Sequence, residues 1–229
     1  VRADLRIVFE SAFDGCYEAD RAAALSGVPE STVYEWARRR VVVPSVSDVK
    51  PMRWSYADLM GLRIVYWLRH PKVEPEAEYA ASPMPEVRRA LEQLQSLDLD
   101  LWSQVDGGQT PLLVDRGGRI TIRTAEGHVR ATGQVELDVL DLLAPFETPS
   151  TRGPDLVRPR PHLRIVPGKV AGEPHLQGSR LTTVTIAALA ARGFDAAAIA
   201  RLYPDEDTAA IREAIELEQV LAANAKAAA

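Results

Sequence analysis

The sequence predicts an α+β fold, mainly helical, and three patterns carry that expectation. Apolar residues recur at helical spacing (i, i+3, i+4) in two separated stretches, Tyr17–Leu68 and Thr185–Asn224. Between them Ile120, Ile122 and Thr124 alternate with Thr121 and Arg123, the period of two of a half-buried strand. Pro149, Pro154, Pro159 and Pro161 interrupt both patterns, as in an extended linker. Four parts follow: a helical part over 1–72, a helix with a small β-meander over 73–146, a Pro-rich basic linker over 147–162, and a three-helix domain over 163–229.

The 229 residues are 46% hydrophobic and 26% charged, an ordinary globular balance. No apolar run approaches the roughly 18 residues of a membrane span, and the first sixteen residues do not read as a signal peptide. The lone Cys16 has no cysteine to pair with. The expectation is a soluble cytoplasmic protein without a membrane partner. The net charge of −5 is unevenly spread. Residues 1–72 hold 11 Lys and Arg against 9 Asp and Glu, 73–149 hold 6 against 14, and 150–229 hold 10 against 9. Fields act over about 8–10 Å, so a positive end can meet DNA while an acidic middle faces elsewhere.

Ala19, Ala22, Ala23 and Leu25 form a short apolar helix, and Ser26-Gly27-Val28-Pro29 breaks it. A second helix is expected from Glu30 to Arg40. Val33, Trp36 and Ala37 face inward at i, i+3 and i+4; Ser31, Thr32, Glu35, Arg38 and Arg39 face out, and Tyr34 is expected with them among the DNA contacts. This is the helix-turn-helix plan, in which one helix braces and the next offers its outer face to the major groove. Ser31 and Thr32 can hydrogen-bond phosphates or base edges, and Arg38, Arg39 and Arg40 supply charge. Residues 41–44, Val-Val-Val-Pro, leave the helix extended. The polar 45–53 stretch, with Lys50 and Arg53, suits a wing. Ser55 and Asp58 are spaced as a capping box for a third, buried helix carrying Leu59, Leu62, Val65 and Tyr66 and ending before Pro71.

The stretch from Ala23 to Trp36, the Val-Val-Val-Pro after it, and Arg53-Trp54-Ser55-Tyr56-Ala57-Asp58-Leu59 resemble the winged helix-turn-helix of MerR-type regulators over about 50 residues. The resemblance implies DNA binding; a dimer is expected because one recognition helix reads too few base pairs for useful specificity. Tyr34 stands where that family usually carries Arg, and Met52 where its wing does. The family's base readout is therefore not carried over. Its long dimerising helix and sensor cysteines are missing, so metal sensing is not implied.

Residues 71–81, with Pro71, Pro75 and three Glu, read as a connector. Ser82 is placed to cap a helix with Pro83 or Pro85 in its first turn and Val87, Ala90, Leu91 and Leu94 on one stripe. Three strands are expected at 112–114, 119–124 and 128–132, with turns at Arg116-Gly117-Gly118 and Glu126-Gly127. Residues 135–143 fit helix or strand. Farther on, a strand at 164–167 leads through glycine turns to a helix from Thr185 to Arg192 with Ile186, Leu189 and Ala190 on one face. A second helix is capped by Asp195, runs through Ala198, Ile199 and Leu202 and ends at Pro204. A third, from Thr208 to about Asn224, buries Ile211, Ala214, Ile215 and Leu221.

The run from Gly172 to Leu181, then Gly193-Phe194 and Tyr203-Pro204, resembles a small domain family of unassigned function over about 60 residues. That domain recurs in VapB-type antitoxins, and its pairing with a MerR-like end resembles one such antitoxin type. The resemblance implies a type II antitoxin that neutralises a PIN-domain ribonuclease toxin and represses its own operon. Ala196 and Ala197 make the middle helix a poor groove reader, which favours a dimerising or partner-binding role. A PIN site is a carboxylate cluster around Mg²⁺, which an inserted Arg neutralises by bidentate pairing. Arg158, Arg160, Arg164 and Arg180 are the expected toxin contacts, set against a merely solvated linker.

No catalytic machinery is expected. His70, His128, His162 and His175 lie at no metal-ligand spacing, and no phosphate loop, dinucleotide fingerprint or nucleophile elbow occurs. Asp98, Asp100, Asp138 and Asp141 lie among leucines and read as surface charge rather than a carboxylate site. No cofactor and no metal are expected; operator DNA, a cognate toxin and a second copy are the expected partners. A stand-alone regulator with a ligand- or protein-binding C-terminal part is the alternative, and a carboxylate enzyme the more distant one.

Overall fold

A computed structural model describes residues 8–74, 77–97, 99–102, 109–124, 127–128, 136–137, 141–149 and 151–227. The fold is α+β and divides into two compact units: Val1–Leu59 with Leu143–Ala229, and Met60–Leu142.

In the first unit α1 (Ala19–Ser26) ends at Gly27, whose φ of 75° lets its N–H reach Ala23 O at 2.9 Å. A side chain there would also collide with Gly153, since an added Cβ would lie 2.5 Å from its nitrogen. Pro29 then opens α2 (Glu30–Arg38), which buries Val33, Trp36 and Ala37 as expected. It stops two residues early because Arg40 turns left-handed, at φ 51°. The 45–53 stretch folds back on itself: Ser47 and Arg53 exchange backbone hydrogen bonds of 2.9 and 3.1 Å, and the Lys50–Pro51 bond is cis. Helix α3 (Tyr56–Arg69) begins on the expected box. The Asp58 carboxylate accepts from Ser55 N at 2.8 Å, and Ser55 Oγ accepts from Asp58 N at 3.3 Å.

The return half of this unit has strands β7 (Phe146–Glu147) and β8 (Arg152–Gly153) paired antiparallel, and β9 (Leu163–Arg164) paired with β10 (His175–Leu176). Helices α5 (Thr183–Ala191), α6 (Ala196–Leu202) and α7 (Thr208–Ala227) follow. Thr182 and Asp195 cap α5 and α6 by accepting from Thr185 N and Ala198 N. Ile186, Ile199, Ile211, Ala214, Leu217 and Leu221 form the core there. In the two-turn α6 Ile199 takes the buried position, while Leu202, its last residue, is 53% exposed.

The second unit holds the rest of α3 and α4 (Met84–Ser96), with Val87, Ala90 and Leu94 buried. Strands β1 (Lys72–Glu74) and β2 (Ala77–Tyr79) replace the expected connector with an antiparallel hairpin; Pro75 and Glu76 lie outside the described residues. A four-stranded sheet, order β5-β4-β3-β6, joins β3 (Leu112–Asp115), β4 (Ile120–Thr124), β5 (Gly127–His128) and β6 (Glu136–Leu137). Residues 129–135 and 138–140 lie outside the described residues, and with them most of the last expected strand and part of the 135–143 stretch. Ser82 does not cap α4. Pro83 holds that place, while the Ser82 N–H donates to Leu68 O at 2.8 Å. Thr121, expected outward, is buried along with its isoleucine neighbours.

Candidate nucleic-acid interface

The outward face of α2 and the 45–53 hairpin meet across a cleft of about 860 Å³. Ser31, Tyr34 and Arg38 line it from α2, one helical turn apart, and Lys50, Pro51, Met52 and Arg53 line it from the hairpin. Glu18 and Ala19 close the end. Two anchors hold these walls in register. Tyr34 stands edge-on against the fully buried Trp54, ring centroids 6.2 Å apart. Asp58 accepts from Ser45 N and Ser45 Oγ, both at 2.9 Å, so the carboxylate that caps α3 also pins the hairpin's first strand. Burial raises the Asp58 pKa, against the pull of its Ser45 and Ser55 donors.

Five of the nine residues expected to touch DNA therefore share one cleft: Ser31, Tyr34, Arg38, Lys50 and Arg53. Thr32, Glu35, Arg39 and Arg40 do not line it. Several of the cations are already paired. Arg53 binds Glu18 at 2.8 Å, Arg39 binds Glu35 at 3.0 Å, and Arg40 stands 4.0 Å from Asp48. Among the described residues, no carboxylate lies within ion-pair distance of Arg38 or Lys50. These exposed pairs each contribute little to stability, yet they lower the positive charge that the face presents. Sequence reasoning missed Glu18, which lies before the helix pair and becomes a wall only when the chain folds.

The expected linker is packed rather than free. Leu156 and Val157 are buried, Thr151 Oγ1 donates to Gly27 O, and Tyr56 Oη donates to Leu156 O at 2.9 Å. The linker arginines turn back onto backbone carbonyls. Arg158 reaches Pro161 O at 3.0 Å, Arg160 reaches Pro159 O at 2.8 Å, and Arg164 reaches Leu163 O and Gln177 Oε1, both at 2.6 Å. Arg180 is exposed. The prolines fix φ and remove donors, which suits a segment lying on a surface as well as one crossing solvent.

One cluster joins the helix pair to the C-terminal helices. Arg21, on α1, donates to both Glu173 (2.7 and 2.9 Å) and Glu218 on α7 (2.8 and 2.9 Å). Thr183 Oγ1 adds a 2.5 Å bond to Glu218. Burial works against the guanidinium's charge, but Glu218 and Glu173 outweigh it and raise its pKa. Beside it, Tyr17 Oη donates to Gly172 O at 2.8 Å, and burial raises that phenol's pKa, with Glu173 acting the same way. Among the described residues, no three His, Cys, Asp or Glu side chains are grouped to hold a metal ion. Asp98 and Asp138 lie outside them. No helix among the described residues is long and apolar enough to cross a membrane.

Residues 164–217 match a family described as a protein of unknown function, DUF433. This is the stretch whose glycine turns and helix boundaries resemble a small domain of unassigned function. No curated protein and no solved structure matches the chain.

Proposed function

We propose that the chain is a DNA-binding regulator, and in particular the antitoxin of a type II pair, which binds a PIN-domain ribonuclease and represses its own operon from operator DNA. One observation carries the DNA-binding half. A helix anchored through Val33 and Trp36 turns Ser31, Tyr34 and Arg38 into a cleft whose other wall bears Lys50 and Arg53. This suits a winged helix-turn-helix, with α2 as recognition helix and the 45–53 hairpin as wing. Ser31 and Tyr34 can reach base edges, and Arg38 and Lys50 can reach phosphates. The antitoxin half rests on the resemblance of the 172–204 motifs. Inhibition would be steric and electrostatic, and a dimer would supply the second half-site.

The test for DNA binding is anisotropy titration of duplex DNA from the chain's own upstream region across a salt series. Arg38→Ala and Lys50→Ala should each lower the slope of log K against log salt by about 1. An unchanged slope removes phosphate contact at those residues. Co-expression with the product of the adjacent reading frame tests the antitoxin half. Recovery of a stable complex that has lost ribonuclease activity supports it, and free, active nuclease refutes it.

A further inference from the structure

A second cavity, of about 240 Å³, lies between the proline-bearing 145–160 segment and α7. Its floor is apolar: Leu217 and Leu221 are buried beneath it, and Val220 stands 40% exposed at its side. Pro145, Pro154 and Pro159 form the facing wall, with Arg152 and Arg160 at the rim. Small-molecule sites usually run to about 300–1,000 Å³, so this volume suits one large side chain better than a cofactor. The wall is stiff, because prolines fix the backbone and Thr148, Thr151 and Asn224 tie down the 148–152 turn. Asn224 Nδ2 donates to Arg152 O at 2.6 Å, and Thr151 N donates to Thr148 Oγ1 at 2.9 Å. A pocket that is already shaped costs little ordering on binding, as at a protein–protein hot spot.

The charge at the rim selects the neighbour of that side chain. Asp155 already accepts from Val157 N (2.8 Å) and Arg158 N (2.6 Å), and Glu147 stands 3.3 Å from Arg152. Arg160 spends one donor on Pro159 O, and no carboxylate among the described residues lies within ion-pair distance of it. A guanidinium has five N–H groups, so Arg160 keeps a face open for an incoming carboxylate. We propose that this pocket seats an aromatic side chain of a protein partner, with an acidic residue beside it bound by Arg160. The inference deepens the partner-binding half of the proposed function: it moves the contact from a free linker to a fixed pocket.

The probes are two capped dipeptides, N-acetyl-Trp-Glu-amide and N-acetyl-Trp-Lys-amide, titrated into the full chain with methyl NMR detection. The glutamate probe should shift the Leu217, Val220 and Leu221 methyls in the millimolar range, and the lysine probe should bind several-fold more weakly. No shift of these methyls, or equal binding of the two probes, overturns the proposal. Arg160→Gln should keep the methyl shifts and lose the preference. Val220→Trp, at a half-exposed position, should fill the mouth and abolish them. A chain that binds the probe but no ribonuclease would lose the antitoxin reading and keep the pocket.

Discussion

Replacing Arg21 by Met is the sharpest test of how the helix pair is held. The guanidinium is 14% exposed and its two carboxylates 23% and 13%, so solvent screens little of their charge. Methionine keeps the apolar stem and removes four hydrogen bonds. It leaves Glu173 and Glu218 facing one another with no cation between them. Breaking a buried pair from one side costs about 3–5 kcal/mol, mostly as the penalty of the abandoned charge. Partial exposure places this site at the lower end, about 3 kcal/mol. For a chain of this size that is a fall of about 6–12 °C in Tm. Urea unfolding followed by tryptophan fluorescence measures it, since Trp36 and Trp54 are both buried in the unit that Arg21 braces. Adding Glu173→Gln and Glu218→Gln should recover most of the loss, because neutral amides need no counter-ion. A loss below about 1 kcal/mol in Arg21→Met would refute the reasoning. It would mean that water screens the cluster and that apolar packing alone joins α1 to α7.

Asp58→Ala removes both the α3 cap and the tie to Ser45; a cost of about 2 kcal/mol is expected, with faster hydrogen exchange at the Ser45 and Ser55 amides as the local readout. Burial lowers the Lys72 amine to about 8 from its ordinary 10.5. The unfolded chain therefore holds that proton more tightly than the fold. Stability should rise with pH between about 8 and 10.5, and Lys72→Met should flatten that rise in a pH series of urea melts. Glu18→Gln releases Arg53 from its 2.8 Å pair and should tighten DNA binding several-fold at low salt, with the gain fading as salt is added; weaker binding would show that the pair orients Arg53 rather than neutralising it.

Local chemistry was legible in the sequence wherever a residue's role is set within a few positions of it. The stripe Val33/Trp36/Ala37, the Ser55–Asp58 box, the Asp195 cap and the glycine stop at Gly27 are all of this kind, and each stands where the periodicity or the capping rule put it. The exceptions are also informative. Ser82 lost its cap to the proline beside it, and the 71–81 stretch became a hairpin because cross-strand pairing outweighed a composition suited to a connector. The candidate site was half legible: spacing alone put Ser31 and Arg38 on one face.

The sequence by itself therefore determined the helices, their inner and outer faces and the residues that could carry charge, because these depend on spacing and neighbours along one segment. Only the tertiary structure decided which charges remain available, since Glu18, Glu35 and Asp48 pair with Arg53, Arg39 and Arg40. It also decided that 147–162 is a wall rather than a tether, and that Arg21 meets Glu173 and Glu218 from 152 and 197 positions away. Apart from Glu35 and Arg39, an i, i+4 pair whose spacing is already visible along the helix, these contacts join residues that no local period or motif brings together. They follow from packing, which brings surfaces together irrespective of their order along the chain.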